Sequence, residues 1–195
     1  MEDFVKIKPV QSDLVRCPWC LKDELYMKYH DEEWGVPVHD DVKHFEFLIL
    51  ETFQAGLSWY TILKKRENFR KAFKDFIPEK VAGFGEKEYR TLMANEGIIR
   101  NKLKIEAAIA NAKVFMTVQR EFGSFDTYIW GFTHNRPIRN NRNQLSEIPA
   151  KTELSDRISA DMKKRGFKFA GSTIIYSHLQ AIGIVNDHLT GCFRF

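Results

Sequence analysis

Apolar residues recur every three or four positions along almost the whole chain, and alternating, strand-like stretches are nearly absent. This spacing places the apolar side chains on one face of a helix. The pattern predicts an all-α fold with helices at about 40–53, 59–73, 86–94, 101–120, 124–132, 155–165 and 172–183. The polar segment 133–150 contains two prolines and shows no such period, so we expect a surface loop there.

Length and composition indicate one domain. A chain of 195 residues with 44% hydrophobic and 29% charged residues has the make-up of an ordinary globular protein, with a single core formed by residues 1–195. The sequence contains neither an apolar run of membrane-spanning length nor the apolar core of a signal peptide. We therefore expect a cytoplasmic protein without a membrane partner.

Positive charge is concentrated after residue 51. The chain has 30 basic and 26 acidic residues. Residues 1–51 contain 6 basic and 12 acidic residues, so residues 52–195 contain 24 basic and 14 acidic residues. The excess lies in clusters at 64–74, 100–104, 136–142 and 163–168. Clusters that meet on one face would follow a phosphate backbone, as in a nucleic-acid-binding protein. Solvated helix faces explain the same pattern equally well.

The segment 155–183 has the pattern of a helix-hairpin-helix unit. Gly166 can supply a left-handed C-cap for the first helix, and Ser172 or Thr173 can cap the second. The backbone N–H groups at the start of the second helix suit a phosphate, and the basic turn adds positive charge. The residues that would contact DNA are Lys168, Phe169, Ala170, Gly171 and Ser172. A plain αα-hairpin is the alternative.

Cysteine and histidine residues gather at the two ends of the chain. Three cysteines do not make a disulfide framework. Four residues from the set Cys17, Cys20, His30, His188 and Cys192 would complete a tetrahedral site for one structural zinc ion and would tie the chain ends together. A closed site of this kind has no open position for catalysis. Unrelated thiols and histidines are the alternative, and spacing alone does not choose between the first two cysteines.

Glu51 is the only acidic residue between Phe47 and Arg66. Its position at the end of a predicted helix favours a solvated residue; the other interpretation is a partly buried carboxylate with a raised pKa and a recognition or catalytic role. Aromatic residues are concentrated in the same third of the chain, namely Trp19, Tyr26, Tyr29, Trp34 and Trp59. Aromatic rings beside a carboxylate suit a flat, cationic nucleobase, and ordinary core packing is the alternative.

Several motifs occur together in one register from about residue 16 to residue 192. They are Cys17, Tyr29-His30-Asp31-x-x-Trp34-Gly35-x-Pro37, Glu51, Gln54-Ala55-Gly56-Leu57-Ser58-Trp59, Ile62-Leu63-Lys64-Lys65-Arg66, Gly97-Ile98-Ile99-Arg100, Gly166-Phe167-Lys168-Phe169-x-Gly171 and Asn186-Asp187-His188-x-x-x-Cys192. With these motifs the sequence resembles the DNA-3-methyladenine glycosylase I family of base-excision repair enzymes. Residues 1–15 precede the matching region and would form an N-terminal extension.

The resemblance implies a helix-hairpin-helix glycosylase fold with a small zinc lobe built from about 16–36 and 184–195. The implied zinc ligands are Cys17, His30, His188 and Cys192, with Cys20 outside the set. The implied partner is double-stranded alkylated DNA, from which a monomeric enzyme releases 3-methyladenine by hydrolysis without lyase activity.

The resemblance also implies roles at the site. The extruded base stacks on Trp59, is contacted by Tyr29 and is hydrogen-bonded by Glu51, which is the implied catalytic residue. The remaining walls of the base pocket are Trp19, Trp34 and Tyr26. The turn at Gly56 and Leu57 enters the duplex where the base has left.

Some alternatives stay open at this point. Many helix-hairpin-helix glycosylases use a catalytic aspartate after the hairpin, but the family lacks it. We therefore expect Asp187 to support the neighbouring ligand His188 instead. Two other functions are a zinc-stapled DNA-binding module that releases no base, and a zinc hydrolase, which needs an open coordination position.

Overall fold

The computed structural model describes residues 14–195; residues 1–13, most of the expected extension, lie outside the described part. Within residues 14–195 the chain forms nine α-helices: α1 Glu24–Glu32, α2 Asp41–Gln54, α3 Trp59–Ala72, α4 Pro78–Ala82, α5 Glu86–Ala94, α6 Lys102–Phe122, α7 Phe125–Gly131, α8 Glu153–Arg165 and α9 Ser172–Ala181. The predicted helical class is confirmed, with one addition: two short strands, β1 Ile138–Arg139 and β2 Val185–Asn186.

Side-chain caps determine where several helices begin. Asp40, Ser58 and Thr152 accept hydrogen bonds from backbone N–H groups in the first turns of α2, α3 and α8, as N-cap residues do. The predicted starts of these three helices are therefore confirmed to within a few residues. The sequence pattern did not predict α1 or α4. The first buries few of its side chains and the second has five residues, so neither shows a long apolar period.

Helix α2 lies at the centre of the protein. Every residue from His44 to Phe53 is buried, because α3, α6, α7 and α9 pack around this helix. Phe45 meets Phe115 of α6 edge-on, with ring centroids 5.1 Å apart. The enclosure also buries polar residues of α2, including Glu51.

Helices α8 and α9 form the hairpin expected over 155–183. Gly166 ends α8 with a φ of +103°, a conformation that glycine adopts without strain. The prediction that Ser172 or Thr173 caps the second helix is wrong, because Gly171 occupies the N-cap position and no side chain caps α9. Ser172 lies instead in the first turn of α9, where its hydroxyl meets that of Ser155 at 2.8 Å. The first N–H groups of α9 therefore remain uncapped.

The two ends of the described chain lie together. Strands β1 and β2 pair in parallel, so the expected surface loop at 133–150 contributes one strand of a small ladder. The backbone N–H of Phe193 donates to the carbonyl of Val15 at 2.9 Å. As far as residues 14–195 show, no helix has the length and apolar character needed to cross a membrane.

Candidate active site and metal centre

A cleft opens among α1, α2, α3 and α9. Its cavity has a volume of about 150 Å³. Its lining residues are Trp19, Tyr26, Tyr29, Trp34, Glu51, Gln54, Trp59, Ser177 and Gln180. The structure thus brings together the carboxylate and all five aromatic residues that the sequence assigned to a base pocket.

Glu51 is buried in this cleft without a partner. Its side chain is 4% exposed, and no residue within the described part of the chain forms a hydrogen bond or ion pair with it. Burial raises the pKa of Glu51 to about 8, because surroundings of low polarity disfavour the charged form. The prediction that Glu51 is solvated, which rested on its position at the end of a helix, is therefore wrong. Such a carboxylate suits a ligand that brings positive charge or hydrogen-bond donors.

Aromatic rings form the walls of the cleft. Trp59 and Tyr29 lie with ring centroids 5.2 Å apart. The indole nitrogen of Trp59 is buried and has no hydrogen-bond partner among the residues that the structure describes. Trp19 packs edge-on against Tyr26 and Trp34, at centroid distances of 4.9 and 5.0 Å. These rings pack on one another, as the core-packing alternative expected, and they also border the cleft.

The turn after α2 lies beside the cleft. Gly56 has a φ of +78°, and the neighbouring Leu57 is 41% exposed, although leucine is usually buried. A second hollow runs from this turn to the start of α9. Lys104 of α6 holds the turn from inside, because its ammonium donates to the carbonyl oxygens of Phe53, at 2.8 Å, and Ala55.

The ligand atoms of Cys17, His30, His188 and Cys192 form a compact buried group, all within 4.8 Å of one another. Nε2 of His30 lies 3.2 Å from Nδ1 of His188 and 3.4 Å from Sγ of Cys192. Cys20 lies outside the group, and its thiol donates to the carbonyl of Cys17. The group can hold a metal ion.

Hydrogen bonds outside the group fix both imidazole rings. Nδ1 of His30 donates to the Asp31 carboxylate at 2.7 Å, and Nε2 of His188 donates to the carbonyl of Trp34 at 2.9 Å. Each ring therefore turns an unprotonated nitrogen toward the group, the form that binds metals. Burial lowers the pKa of His188 to about 4 and lowers that of His30 as well. Two nitrogen lone pairs at 3.2 Å repel each other unless a cation or proton lies between them.

Asp187 does not support His188, contrary to expectation. Its carboxylate accepts hydrogen bonds from Tyr176, Gln180 and Asn140, whereas the carboxylate that contacts a histidine of the metal group is Asp31. Consecutive side chains of an extended segment point to opposite sides, so residue 187 faces α9 while residue 188 faces the metal group.

Part of the basic charge is used inside the protein. Arg66 is buried and donates to Glu33 and Glu46, in each case at 2.7 Å. Arg165 is partly exposed and paired with one carboxylate of its own helix and one of α6, whereas the buried Lys104 holds the turn after α2. The two buried residues, Arg66 and Lys104, belong neither to one phosphate-binding face nor to solvated helix faces. Their partners lie in other segments of the chain, so the local sequence did not indicate this use.

The hairpin turn is held from α6. Asn111 accepts from the backbone N–H of Lys168 at 2.7 Å and donates to its carbonyl at 3.0 Å. Ser159 of α8 donates to the carbonyl of Ala170 at 2.6 Å, and Phe169 takes a φ of +53°. The turn that precedes the uncapped start of α9 therefore has a defined backbone.

The sequence argument missed several site residues. They are Gln54, Ser177 and Gln180 in the cleft, and Asp31 and Asn111 as supports. Gln54 lies three residues after Glu51, hence on the same helix face, and this spacing could have identified it. Asp31 directly follows His30 in the sequence, so its position could have identified it as well. Ser177, Gln180 and Asn111 become neighbours of the site only through tertiary packing.

A model of the methyladenine glycosylase family matches residues 19–195. The chain belongs to the methyladenine glycosylase family. The match spans the cleft, the turn after α2, the hairpin and three of the four residues of the metal group. As a member of this family the chain is an enzyme that hydrolyses a glycosidic bond, and the resemblance found in the sequence is confirmed.

Named relatives agree with this family. The DNA-3-methyladenine glycosylase 1 of Escherichia coli (strain K12) is 49% identical over 177 residues, which cover 91% of this chain and 95% of that protein. The DNA-3-methyladenine glycosylase of Haemophilus influenzae (strain ATCC 51907 / DSM 11121 / KW20 / Rd) is 44% identical over 177 residues, 91% and 96% of the two chains. A structure on 3-methyladenine recognition by 3-methyladenine DNA glycosylase I from Staphylococcus aureus matches with a TM-score of 0.88 and 35% identity, covering 92% and 95% of the chains.

Proposed function

We propose that the protein excises 3-methyladenine from double-stranded alkylated DNA by hydrolysing its N-glycosidic bond. The observation that carries this proposal is the buried carboxylate of Glu51, which has no partner and lies in a cleft walled by Trp59 and Tyr29. The family and the names of the relatives support the same activity. The protein acts as a monomer in the cytoplasm.

The cleft suits a flat cation. Methylation at N3 gives adenine a positive charge and weakens the glycosidic bond, so selecting the base matters more than acid catalysis. Stacking on Trp59 and Tyr29 contributes on the order of 1–3 kcal/mol per base, and the rings also attract the cation. Glu51 accepts from the exocyclic amine, which guanine lacks at that position, and its negative charge favours the methylated base.

Base extrusion costs a few kcal/mol, and contacts around the cleft offset this cost. The exposed Leu57, on the turn opened by Gly56, enters the space that the base leaves. The uncapped N–H groups at the start of α9 bind a backbone phosphate, with the hydroxyl of Ser172 beside them. Lys168 adds positive charge, and the residues Phe169, Ala170 and Gly171 bring the backbone of the turn close to the DNA.

Water completes the reaction. Its oxygen bonds to the anomeric carbon while the carbon–nitrogen bond breaks. The departing base takes the bonding electrons and leaves neutral, and the water that attacked releases one proton to the solvent. A lyase step needs an amine nucleophile instead. No lysine is among the residues found to line the cleft within 14–195, which supports a monofunctional glycosylase.

We assign the metal group to one structural zinc ion. Tetrahedral zinc, with bonds of about 2.0–2.1 Å to nitrogen and about 2.3 Å to sulfur, keeps its ligand atoms about 3.3–3.8 Å apart. Four ligand pairs in the group lie 3.2, 3.4, 3.6 and 3.7 Å apart. A zinc ion bound by these residues would cross-link the two ends of the described chain. Four protein ligands leave no position for an activated water, which argues against the zinc-hydrolase alternative.

Release of free base from methylated DNA tests the proposal. The wild type should release 3-methyladenine in preference to 7-methylguanine. Glu51→Gln should slow this release roughly 10- to 100-fold, because a charge-assisted contact is lost. A folded, zinc-loaded wild type that binds the DNA and releases no base would overturn the proposal in favour of the binding-module alternative.

A further inference from the structure

Gln180 of α9 connects the cleft to a buried carboxylate. Its side chain lines the cleft, and its Nε2 donates to Oδ2 of Asp187 at 2.7 Å. The backbone carbonyl of Gln180 accepts from the N–H of Gly35 at 2.9 Å, next to the cleft residue Trp34. Both the main chain and the side chain of Gln180 are therefore held in place.

The surroundings of Asp187 decide which end of the amide can face it. The carboxylate is fully buried and also accepts from the hydroxyl of Tyr176 at 2.6 Å and from Nδ2 of Asn140 at 2.8 Å. Arg142 lies beside it, with Nε 3.7 Å from Oδ1. Because these oxygens act as acceptors, the amide oxygen of Gln180 would be repelled there, and the amide nitrogen must face Asp187.

This orientation leaves the amide oxygen for the cleft. We propose that Gln180 is a specificity-determining residue whose Oε1, oriented by Asp187, is a second acceptor beside Glu51 for the exocyclic amine of the extruded base. The inference rests on the proposed function and extends it. Asp187 is then a positioning residue: it does not touch the base and acts only through Gln180.

The chemistry of the bases explains why two acceptors favour adenine. The exocyclic amine is the only N–H donor group of the adenine base, and its two hydrogens match two acceptors. Guanine carries a carbonyl oxygen at the same ring position. That oxygen would meet two acceptors and leave both without a donor, a mismatch that reduces the rate roughly 10- to 100-fold per buried group.

Kinetics with two lesions test the proposal. We would measure kcat/KM for release of 3-methyladenine and 3-methylguanine from methylated DNA, with the wild type, Gln180→Leu and Asp187→Asn. Gln180→Leu removes the acceptor at similar size. Asp187→Asn lets its own amide nitrogen face Gln180, so the glutamine no longer has a fixed orientation. Each variant should lower the ratio of kcat/KM for 3-methyladenine to kcat/KM for 3-methylguanine about 10-fold. The double variant should lower this ratio no further.

Tyr176→Phe is the matched control. It removes a hydrogen bond from the same oxygen of Asp187 but leaves the contact with Gln180, so the ratio should stay at the wild-type value. An unchanged ratio in Gln180→Leu would overturn the proposal, and this variant decides the matter even if Asp187→Asn fails to fold. A ratio that falls equally in Tyr176→Phe would overturn the positioning role. A wild type that releases neither base would overturn the proposed function itself.

Discussion

Burial of Glu51, the residue that we propose recognises the base, is energetically unfavourable for the folded protein. Ten consecutive residues of α2, 44–53, are buried, and six of them are apolar and stabilise the core. Glu51 is enclosed with them but forms no hydrogen bond within the described chain, so its burial disfavours the ionised form. The same burial strengthens its attraction for a cationic base, because electrostatic interactions are stronger where water is excluded.

We expect kcat/KM for release of 3-methyladenine to rise with pH up to about 8 and then level off. Burial raises the pKa of Glu51 to about 8, so the carboxyl of the free enzyme is protonated at lower pH, and only its ionised form attracts the cation. The slope is at most tenfold per pH unit. A pH–rate profile measures it, and the profile of Glu51→Gln should be flat over the same range. A wild-type profile without an inflection between about pH 7 and 9 would contradict this assignment.

Glu51→Gln should also stabilise the protein, increasingly so as the pH rises. The unfolded chain releases the proton of Glu51 near its ordinary pKa of 4.5, whereas the folded chain keeps it up to about 8. The wild type therefore loses stability across this window, and the variant does not. We expect a gain of about 1 kcal/mol at pH 5 and about 3 kcal/mol at pH 7.

Urea denaturation at the two pH values measures this gain. Glu32→Gln, at an exposed position, is the control and should show no such trend. An equal gain at pH 5 and pH 7 for Glu51→Gln would mean that the buried carboxyl is not protonated in the folded protein.

At the scale of the elements, α6 organises parts of the site that belong to other helices. Lys104, in its first turn, holds the turn between α2 and α3. Asn111, two turns later, holds the hairpin turn between α8 and α9. One long helix thus positions both segments that we propose contact DNA, although none of its own residues lines the cleft within the part of the chain described.

Lys104→Met should weaken the binding of methylated DNA. The substitution leaves the carbonyl oxygens of Phe53 and Ala55 without their donor, which costs about 1–3 kcal/mol and loosens the turn that carries Leu57. We expect KM for methylated DNA to rise several-fold with a smaller change in kcat. Lys102→Met, at an exposed position of the same helix, removes the same charge and is the matched control. Equal effects of the two variants would point to lost positive charge instead of the turn.

At the scale of the whole molecule, the metal group and the cleft share their supports. His30 and Tyr29 are neighbours on α1, one belonging to the metal group and the other to the cleft. Trp34 lines the cleft, its carbonyl accepts from His188, and its ring lies 4.6 Å from the imidazole of that residue. Losing the link between the chain ends would therefore disturb one wall of the cleft.

Removing one ligand of the metal group should destabilise the protein measurably. Cys17→Ser should abolish stoichiometric zinc and lower Tm by about 5–15 °C, since 1 kcal/mol corresponds to roughly 2–4 °C in a chain of this size. Metal analysis by mass spectrometry and thermal melting measure both effects. Cys20→Ser is the matched control, because this buried thiol lies outside the group and should leave zinc content unchanged. Zinc lost equally in both variants would contradict the ligand set.

Local chemistry made much of the fold predictable. Apolar periodicity and capping residues act within a few positions of themselves, so the sequence by itself determined where α2, α3 and α8 begin. The spacing of cysteines and histidines indicated a metal site, and the family resemblance selected Cys17 over Cys20. The motifs also named the aromatic residues and Glu51 that the structure brings to one cleft.

Only the tertiary structure decided how the polar and charged groups are used. The burial of Glu51, the internal pairing of Arg66 and the orientation of Gln180 depend on partners from other helices. Lys104, for example, binds a carbonyl 51 positions away. The energy of a charge or amide is set by solvent exclusion and by the donors and acceptors that packing places around it, and neither quantity is a property of the local sequence.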